Sequence, residues 1–252
     1  MNNFKEFVLK FAKEKNSRIV LALDLYKEEL YSLSINTRKE ERKKLLNSAI
    51  NLLSNLEEYI AGIKIGLPFS LCVNLDNVEK IIKDFSNKYF FICDFKIADI
   101  GYTNILIIRN ILNIGFNAVI AHAIIGFKEG LEKIVSEAKK FNAGVLALCA
   151  MSHAGAEEFI NKHYIELLEI SAKSKVDGFI LPATYPSYIS IARKLYPWAL
   201  IFSPGVGAQK ATFGSAIHNG ADFEIIGRAI YNAENPKKEI EKILKEMIKS
   251  KR

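Results

Sequence analysis

The 252-residue chain has only three cysteines, and it lacks any apolar run long enough to cross a bilayer. Cys72, Cys93 and Cys149 lie far apart, without the paired spacing of a zinc site or a disulfide framework, so we expect buried reduced thiols. The first segment, residues 1–15, is amphipathic and contains acidic residues, a pattern unlike that of a signal peptide. These absences exclude a disulfide-rich secreted protein and a membrane protein, and we expect a cytoplasmic protein.

No linker divides the chain, so the sequence predicts one domain over residues 1–252. The net charge of +7 suits an anionic partner. Much of the excess lies in residues 38–44 and 237–252, and in the second segment lysine alternates with glutamate at helical spacing. No nucleic-acid recognition motif accompanies these residues, so we interpret them as solvated helix faces and predict no nucleic-acid partner.

Eight short apolar runs recur along the chain. They are nearly unbroken, which is typical of parallel strands covered on both faces. Segments with helical periodicity lie between most of them, and residues 25–37 read as an elongated first loop. This repetition predicts an α/β protein, a (β/α)8 barrel of the TIM type with an extra N-terminal helix, with a doubly wound open sheet as the alternative. The predicted strands are 18–24, 60–66, 89–96, 117–122, 143–151, 177–181, 198–204 and 222–227, and the helices include 37–58, 78–87, 103–113, 130–141, 157–175 and 186–195.

Charged residues occur where the first three strands should be apolar. The first strand ends in Asp24, the second contains Lys64, and the third ends in a segment that carries Asp94, Lys96 and Asp99. Asp94 and Lys96 are two residues apart on a strand and therefore point to one side. Burying charges is costly unless each is paired, so we predict a functional cluster at the barrel mouth, with a structural salt-bridge network as the alternative. Acidic neighbours keep a lysine protonated, which suits a proton donor.

A second signal lies at the last two strands, where barrels of this kind commonly bind phosphate. The chain reads Ser-Pro-Gly-Val-Gly-Ala-Gln over residues 203–209 and Ile-Gly-Arg over residues 226–228. Glycines let backbone N–H groups approach an anion, and Arg228 can contact two phosphate oxygens at once. The combination predicts a phosphate site.

Residues 18–231 resemble the orotidine 5'-phosphate decarboxylases, especially the archaeal type. The Asp94-x-Lys96-x-x-Asp99 element is that family's hallmark, but sugar-phosphate decarboxylases of the same superfamily share it. Lys64 separates the two, because the magnesium-using ketogulonate-phosphate relatives lack a lysine there. The segments 151–155 and 204–209 also resemble the orotidine family.

The resemblance implies decarboxylation of orotidine 5'-monophosphate to uridine 5'-monophosphate, the final step of de novo pyrimidine nucleotide synthesis, without a cofactor or metal. It implies a homodimer in which Asp99 and Thr103 complete the neighbouring subunit's site. Lys96 would protonate C6 of the pyrimidine while Asp94 lies beside the departing carboxylate. The implied catalytic residues are Lys64, Asp94, Lys96 and Asp99, and the implied substrate-binding residues are Asp24, Ile100, Thr103, Ser152, Pro204, Val206, Gly207, Gln209, Gly227 and Arg228.

Two departures from the family pattern are visible. Gly101 stands where many members have proline, and residues 210–213 are less glycine-rich than usual. His122 and His153 lie near strand ends, where we favour packing or hydrogen-bonding roles. The alternative functions are a magnesium-dependent sugar-phosphate decarboxylase and a non-catalytic nucleotide-binding barrel.

Overall fold

The computed structural model describes residues 4–207 and 211–249, in which eight parallel strands close into a barrel. Each strand pairs with the next along the chain, and the last pairs with the first. The predicted barrel is therefore confirmed, and the alternative open sheet is wrong. The strands are β1 (Ile19–Leu23), β2 (Gly62–Gly66), β3 (Phe90–Ile97), β4 (Ala118–His122), β5 (Gly144–Leu148), β6 (Gly178–Ile180), β7 (Leu200–Pro204) and β8 (Phe223–Ile226).

Helices surround the barrel, and a further helix precedes β1 as predicted. None of those described is long and apolar enough to span a membrane. The described helices are α1 (Phe4–Glu14), α2 (Ile35–Asn55), α3 (Leu67–Val73), α4 (Leu75–Phe85), α5 (Gly101–Asn113), α6 (Glu132–Lys140), α7 (Tyr164–Lys173), α8 (Pro186–Leu195), α9 (Ser215–His218), α10 (Arg228–Tyr231) and α11 (Pro236–Lys249).

The helix predicted over residues 157–175 is shorter than expected. Two short 3-10 turns, Ala154–Glu158 and Ile160–His163, precede α7. The short helix α3 has no counterpart in the prediction, and the positive φ of Asn74 (72°) separates it from α4. These segments are too short for a period of 3.6 residues to identify them.

The strands separate two apolar layers. One lies between the strands and the outer helices, and the other fills the barrel interior. The interior is crowded with aromatic rings, and Phe90 contacts both Phe202 and Phe223, with ring centroids 6.3 and 5.5 Å away. A Cβ at Gly62 would lie 2.3 Å from the Phe90 ring, so only glycine leaves room for this packing. Alternate residues of each strand point inward, and this places Lys64, two residues after Gly62, on the inner side.

Helix α1 closes the N-terminal end of the barrel. Phe4, Val8 and Phe11 are buried and pack into the interior layer. The Phe11 ring lies edge-on to Phe90, with centroids 6.1 Å apart. A Cβ at Gly144 would lie 2.4 Å from the Phe4 ring, so this glycine admits the helix. Packed apolar side chains therefore close the N-terminal end of the barrel, and the polar residues lie at the opposite, C-terminal end.

We expect Phe11→Ala to lower the free energy of unfolding by about 3–5 kcal/mol, because it leaves a cavity among rings that have little freedom to collapse. The measurement is equilibrium unfolding in urea. Phe159→Ala is the matched control, since Phe159 is 56% exposed and its loss should change stability little. Equal effects of the two substitutions would contradict the role of α1 as a packed plug.

Candidate active site

A cavity of about 390 Å³ lies at the C-terminal ends of the strands. Charged residues from β1, β2 and β3 form one wall, and the loops after β7 and β8 form the phosphate-site end predicted from the sequence. The floor is apolar. Nine of the predicted site residues line the cavity: Asp24, Lys64, Asp94, Lys96, Ser152, Pro204, Val206, Gly227 and Arg228.

The charged wall is a continuous chain of ion pairs. Lys64 Nζ lies 3.1 Å from Asp24 Oδ2 and 2.9 Å from Asp94 Oδ2, so it bridges the two carboxylates. The other oxygen of Asp94 accepts a hydrogen bond from Lys96 Nζ at 2.8 Å. The side chain of Lys64 is 7% exposed, whereas that of Lys96 is 43% exposed. The array therefore holds one buried ammonium group and presents a second to the cavity.

The pKa values of the array follow from this pairing. Burial alone would lower the pKa of Lys64, but the carboxylates of Asp94 and Asp24 outweigh it and raise the pKa. Burial alone would raise the pKa of Asp94, but the ammonium groups of Lys64 and Lys96 outweigh it and lower the pKa. Both groups are therefore charged at neutral pH.

An irregularity in β3 presents Lys96. The pairing of β3 with β4 shifts between Cys93 and Ile97, so that three residues, 94 to 96, stand opposite the single Ile120. Lys96 has φ of 47°, a left-handed conformation that is strained for a lysine. The sequence predicts that Asp94 and Lys96 point to one side of a regular strand; the two side chains do meet, but a bulge brings them together.

Four predicted residues in the described part of the chain do not line the cavity: Gly207, and also Asp99, Ile100 and Thr103. The carboxylate of Asp99 accepts a hydrogen bond from the backbone N–H of Ile100 at 2.7 Å. The fully buried side chain of Asn104 binds the backbone of Asp99. Its Oδ1 accepts from the Asp99 N–H at 3.1 Å, and its Nδ2 donates to the Asp99 carbonyl at 2.6 Å. The segment is thus held firmly at the start of α5.

The structure accounts for the glycine at position 101. A Cβ there would lie 2.6 Å from the carbonyl oxygen of Glu129 and 3.1 Å from Lys133 Cγ. Glu129 belongs to the irregular turn after β4 and has φ of 58°. Because this turn packs directly on the start of α5, the proline common in the family does not fit here.

The loops after β7 and β8 form the end of the cavity at which the sequence predicts a phosphate site. Gly205 joins the predicted lining residues there, whereas Gly207 does not line the cavity and donates its N–H to the carbonyl of Ala211 at 2.9 Å. Gly207 has φ of 73°, and a Cβ on it would lie 2.9 Å from the Phe213 ring. Phe213, one of the departures from the family pattern, therefore covers this turn. Gln209 lies outside the described residues.

Several lining residues were not predicted. The residues of the floor are apolar and point into the barrel. Each lies at an inward strand position, as Lys64 does, so the alternation of inward and outward residues along the strands would have identified them. His153 is exposed and lines the cavity, so of the two roles favoured from the sequence packing does not describe it, and hydrogen bonding stays a prediction. The unpredicted residues are Ala22, Ile120, Leu148, Ala150, Met151, His153, Ile180, Pro182, Gly205, Ile225 and Tyr231.

His122, at the end of β4, is a further titratable group close to the charged wall. Burial lowers its pKa, and the charge of Lys96 lowers it further. Its Nδ1 is buried without a hydrogen-bond partner among the described residues. The same part of the chain contains no group of three or more histidine, cysteine or acidic side chains placed to hold a metal ion.

Comparison with known proteins shows the family. Residues 17–243 match the model described as the orotidine 5'-phosphate decarboxylase / HUMPS family. The chain belongs to this family. Family membership confirms the resemblance carried by Lys64 and the Asp94-x-Lys96-x-x-Asp99 element.

Relatives within the family are similar over most of their length. The orotidine 5'-phosphate decarboxylase of Methanosarcina mazei is 34% identical over 225 residues, which are 89% of this chain and 92% of the relative. The protein of the same name from Sulfurisphaera tokodaii is 37% identical over 195 residues, 77% of this chain and 88% of the relative.

Solved structures show the same barrel. The orotidine 5'-monophosphate decarboxylase of Methanocaldococcus jannaschii, in complex with the inhibitor BMP, superimposes with a TM-score of 0.78 at 29% identity and covers 92% of this chain and 98% of its own. The Sulfolobus solfataricus decarboxylase gives a TM-score of 0.77 at 28% identity, over 94% and 100% of the two chains.

The lowered pKa of Asp94 predicts a pH-dependent contribution to stability. A carboxylate whose pKa is lower in the folded state stabilises the fold above its unfolded pKa of about 3.9, and this contribution is lost as the pH falls toward the folded value. The difference in free energy of unfolding between wild type and Asp94→Asn should therefore be largest above about pH 5 and shrink below about pH 4.

Chemical denaturation at a series of pH values measures this difference. Asp84→Asn is the control, because the Asp84 side chain is 49% exposed in a surface pair with Lys80. A wild-type advantage over Asp94→Asn that stays constant across the acid range would show that the ion pairs of Asp94 do not stabilise the fold.

Proposed function

We propose that this chain decarboxylates orotidine 5'-monophosphate to uridine 5'-monophosphate and CO2, the last step of pyrimidine nucleotide synthesis. The observation that carries the proposal is the ammonium group of Lys64, which lies between Asp24 and Asp94. This ammonium group fills the space between the two carboxylates, which therefore do not share a divalent cation there. Within a family that includes both chemistries, this arrangement favours the orotidine substrate.

The cavity offers a complementary surface for each part of that nucleotide. The apolar floor, with Ile120, Leu148 and Ile180, suits the faces of a pyrimidine ring, and Ser152 at its edge suits a ring polar group. At the other end, Arg228 suits the phosphate. Lys64 and Asp24 would bind the ribose hydroxyls between them.

The proposed reaction uses Lys96 as the proton donor. When the bond between C6 and the carboxylate breaks, the electron pair stays on C6 in the plane of the ring and does not delocalise into the ring carbonyls. The Lys96 ammonium group stabilises this charge and donates a proton to C6, and the resulting amine regains a proton from water. Asp94 holds Lys96 in place at 2.8 Å and lies beside the departing carboxylate.

One ammonium group does not account for the whole effect, because enzymes typically lower barriers by about 8–23 kcal/mol. We propose that binding of the remote phosphate at Arg228 supplies part of the remainder. Binding energy of this kind orders loops, excludes water and fixes the ring over Lys96, which raises kcat rather than affinity alone.

The direct test is to add orotidine 5'-monophosphate in the presence of a chelator and to follow the pyrimidine absorbance as uridine 5'-monophosphate forms. Turnover that is unaffected by the chelator supports the proposal. Activity that disappears with the chelator and returns with magnesium would favour the sugar-phosphate reaction. Stabilisation of the fold by the nucleotide without any turnover would indicate a binding protein.

Lys96→Ala should lower kcat by at least about a hundredfold, because it removes both the proton donor and the charge that stabilises the carbanion. Binding of uridine 5'-monophosphate, measured by calorimetry, should survive, since the groups assigned to the phosphate and ribose remain. Lys80→Ala is the control, a substitution of an exposed lysine in α4. A near-normal kcat in Lys96→Ala would overturn the assignment of the proton donor.

We further propose that the chain forms a homodimer through the face that carries α3 and the start of α5. Large apolar side chains are exposed on this face, including Ile100 and Tyr102, each 72% exposed, and Leu67 at 44%. Exposed apolar surface of this kind is typical of an interface. Beside it, a groove of about 570 Å³ lined by Leu67 and Pro68 reaches the charged wall. We propose that Asp99 and Thr103 of a partner enter this groove.

Co-expression of two inactive variants tests the composite site. Lys96→Ala and Asp99→Ala lie in different subunits of one shared site, so a mixed dimer would regain one intact site of two. Random pairing should restore roughly a quarter of wild-type activity. A co-expressed mixture as inactive as either variant alone, with mixed dimers shown to form, would place both residues in the site of a single subunit.

A further inference from the structure

Asn161 is a buried polar residue that does not line the cavity, and the mechanism proposed above does not use it. We infer that Asn161 is a positioning residue that fixes Ser152 at the pyrimidine end of the cavity; this inference rests on the proposed function. The side chain belongs to the 3-10 turn Ile160–His163 and is 2% exposed.

The amide of Asn161 clamps the backbone of Met151, the residue before Ser152. Its Oδ1 accepts from the Met151 N–H at 3.0 Å, and its Nδ2 donates to the Met151 carbonyl at 2.9 Å. The pair of bonds mimics the pairing of a neighbouring strand at a point beyond the end of β5. Because the carbonyl of Met151 belongs to the peptide group that leads into Ser152, holding it sets the direction of Ser152.

The position of Ser152 depends on this clamp because its own loop offers little support. Residues 152–160 leave the barrel and return, and Ala156 is their one buried member. Ser152 and His153, at the start of the loop, line the cavity. Asn161, at its end, therefore closes the loop at its base and ties the first residues to the barrel.

A second layer of hydrogen bonds orients the clamp. The Nδ2 group of Asn161 also donates to Glu157 Oε1 at 2.6 Å. Hydrogen bonds from Asn161 and then from Tyr185 lower the pKa of Glu157, so this carboxylate is ionised and acts as a fixed acceptor. With O and N both occupied, the amide has a single favourable orientation.

The same device occurs at another part of the predicted site. Asn104, fully buried, binds the N–H and carbonyl of Asp99 in the same way. The two clamps are on different elements, and each holds a segment that contributes a predicted site residue. At the opposite end of the barrel, by contrast, Asn117 accepts one bond from the Phe91 N–H at 2.7 Å.

Asn161→Leu keeps the approximate size of the side chain and removes the clamp. We expect kcat/KM for orotidine 5'-monophosphate to fall by about tenfold to a hundredfold, mainly through kcat, because a ring displaced by a fraction of an ångström is misaligned with Lys96. Asn161→Gln retains the amide and should recover part of the lost kcat/KM. If the leucine variant fails to fold, the glutamine variant is used for the test in its place. Asn117→Leu is the matched control, which should lower the melting temperature and leave kcat/KM within about twofold of wild type.

A double-mutant cycle with Ser152→Ala identifies the route of the effect. If Asn161 acts through Ser152, the double variant should have the kcat/KM of Ser152→Ala alone, to within about twofold. The inference would be overturned if the two single effects on kcat/KM multiply in the double variant. A folded Asn161→Leu enzyme with wild-type kcat/KM would overturn it as well. Failure of the proposed function is separate, because it would appear as a lack of turnover in wild type.

Discussion

The buried ammonium group of Lys64 is the constraint on which the rest of the site depends. Removing a charge from water is costly, and the cost is offset here because two carboxylates, those of Asp24 and Asp94, lie within hydrogen-bonding distance. That requirement fixes Asp94, and Asp94 in turn fixes Lys96 at 2.8 Å. One desolvated cation thus determines the positions of three neighbours at the ends of β1 and β3, and Lys96 is the most exposed of these four cavity-lining groups.

Much of the fold could be predicted from the sequence, because parallel strands covered on both faces leave nearly continuous apolar runs. All eight strands were found this way, with ends displaced by a few residues. The charges on β1, β2 and β3 also stood out, because Asp24, Lys64 and Asp94 interrupt runs that are otherwise apolar. The apolar runs therefore predicted the strands of the barrel, and the charged residues that interrupt these runs predicted the charged wall of the cavity.

The remaining features depend on contacts between segments that are distant or irregular, and no periodicity encodes them. The bulge that gives Lys96 its φ of 47° is set by the mismatch of β3 with β4. The glycine at position 101 is explained by the carbonyl of Glu129, which follows a different strand. The clamp of Asn161 on Met151 joins residues ten apart across an irregular loop. None of these three features could be predicted from the sequence, because each depends on where two separate backbone segments lie relative to one another.

The plug formed by α1 has a consequence for how molecules enter and leave. Phe4, Val8 and Phe11 close one end of the barrel, and the ring layer of Phe90, Phe202 and Phe223 fills the space above them. In the described part of the chain, the proposed substrate and both products must then share the mouth at the other end. CO2 would leave either past the bound nucleotide or after it. The loops that surround this mouth would therefore govern the order of product release.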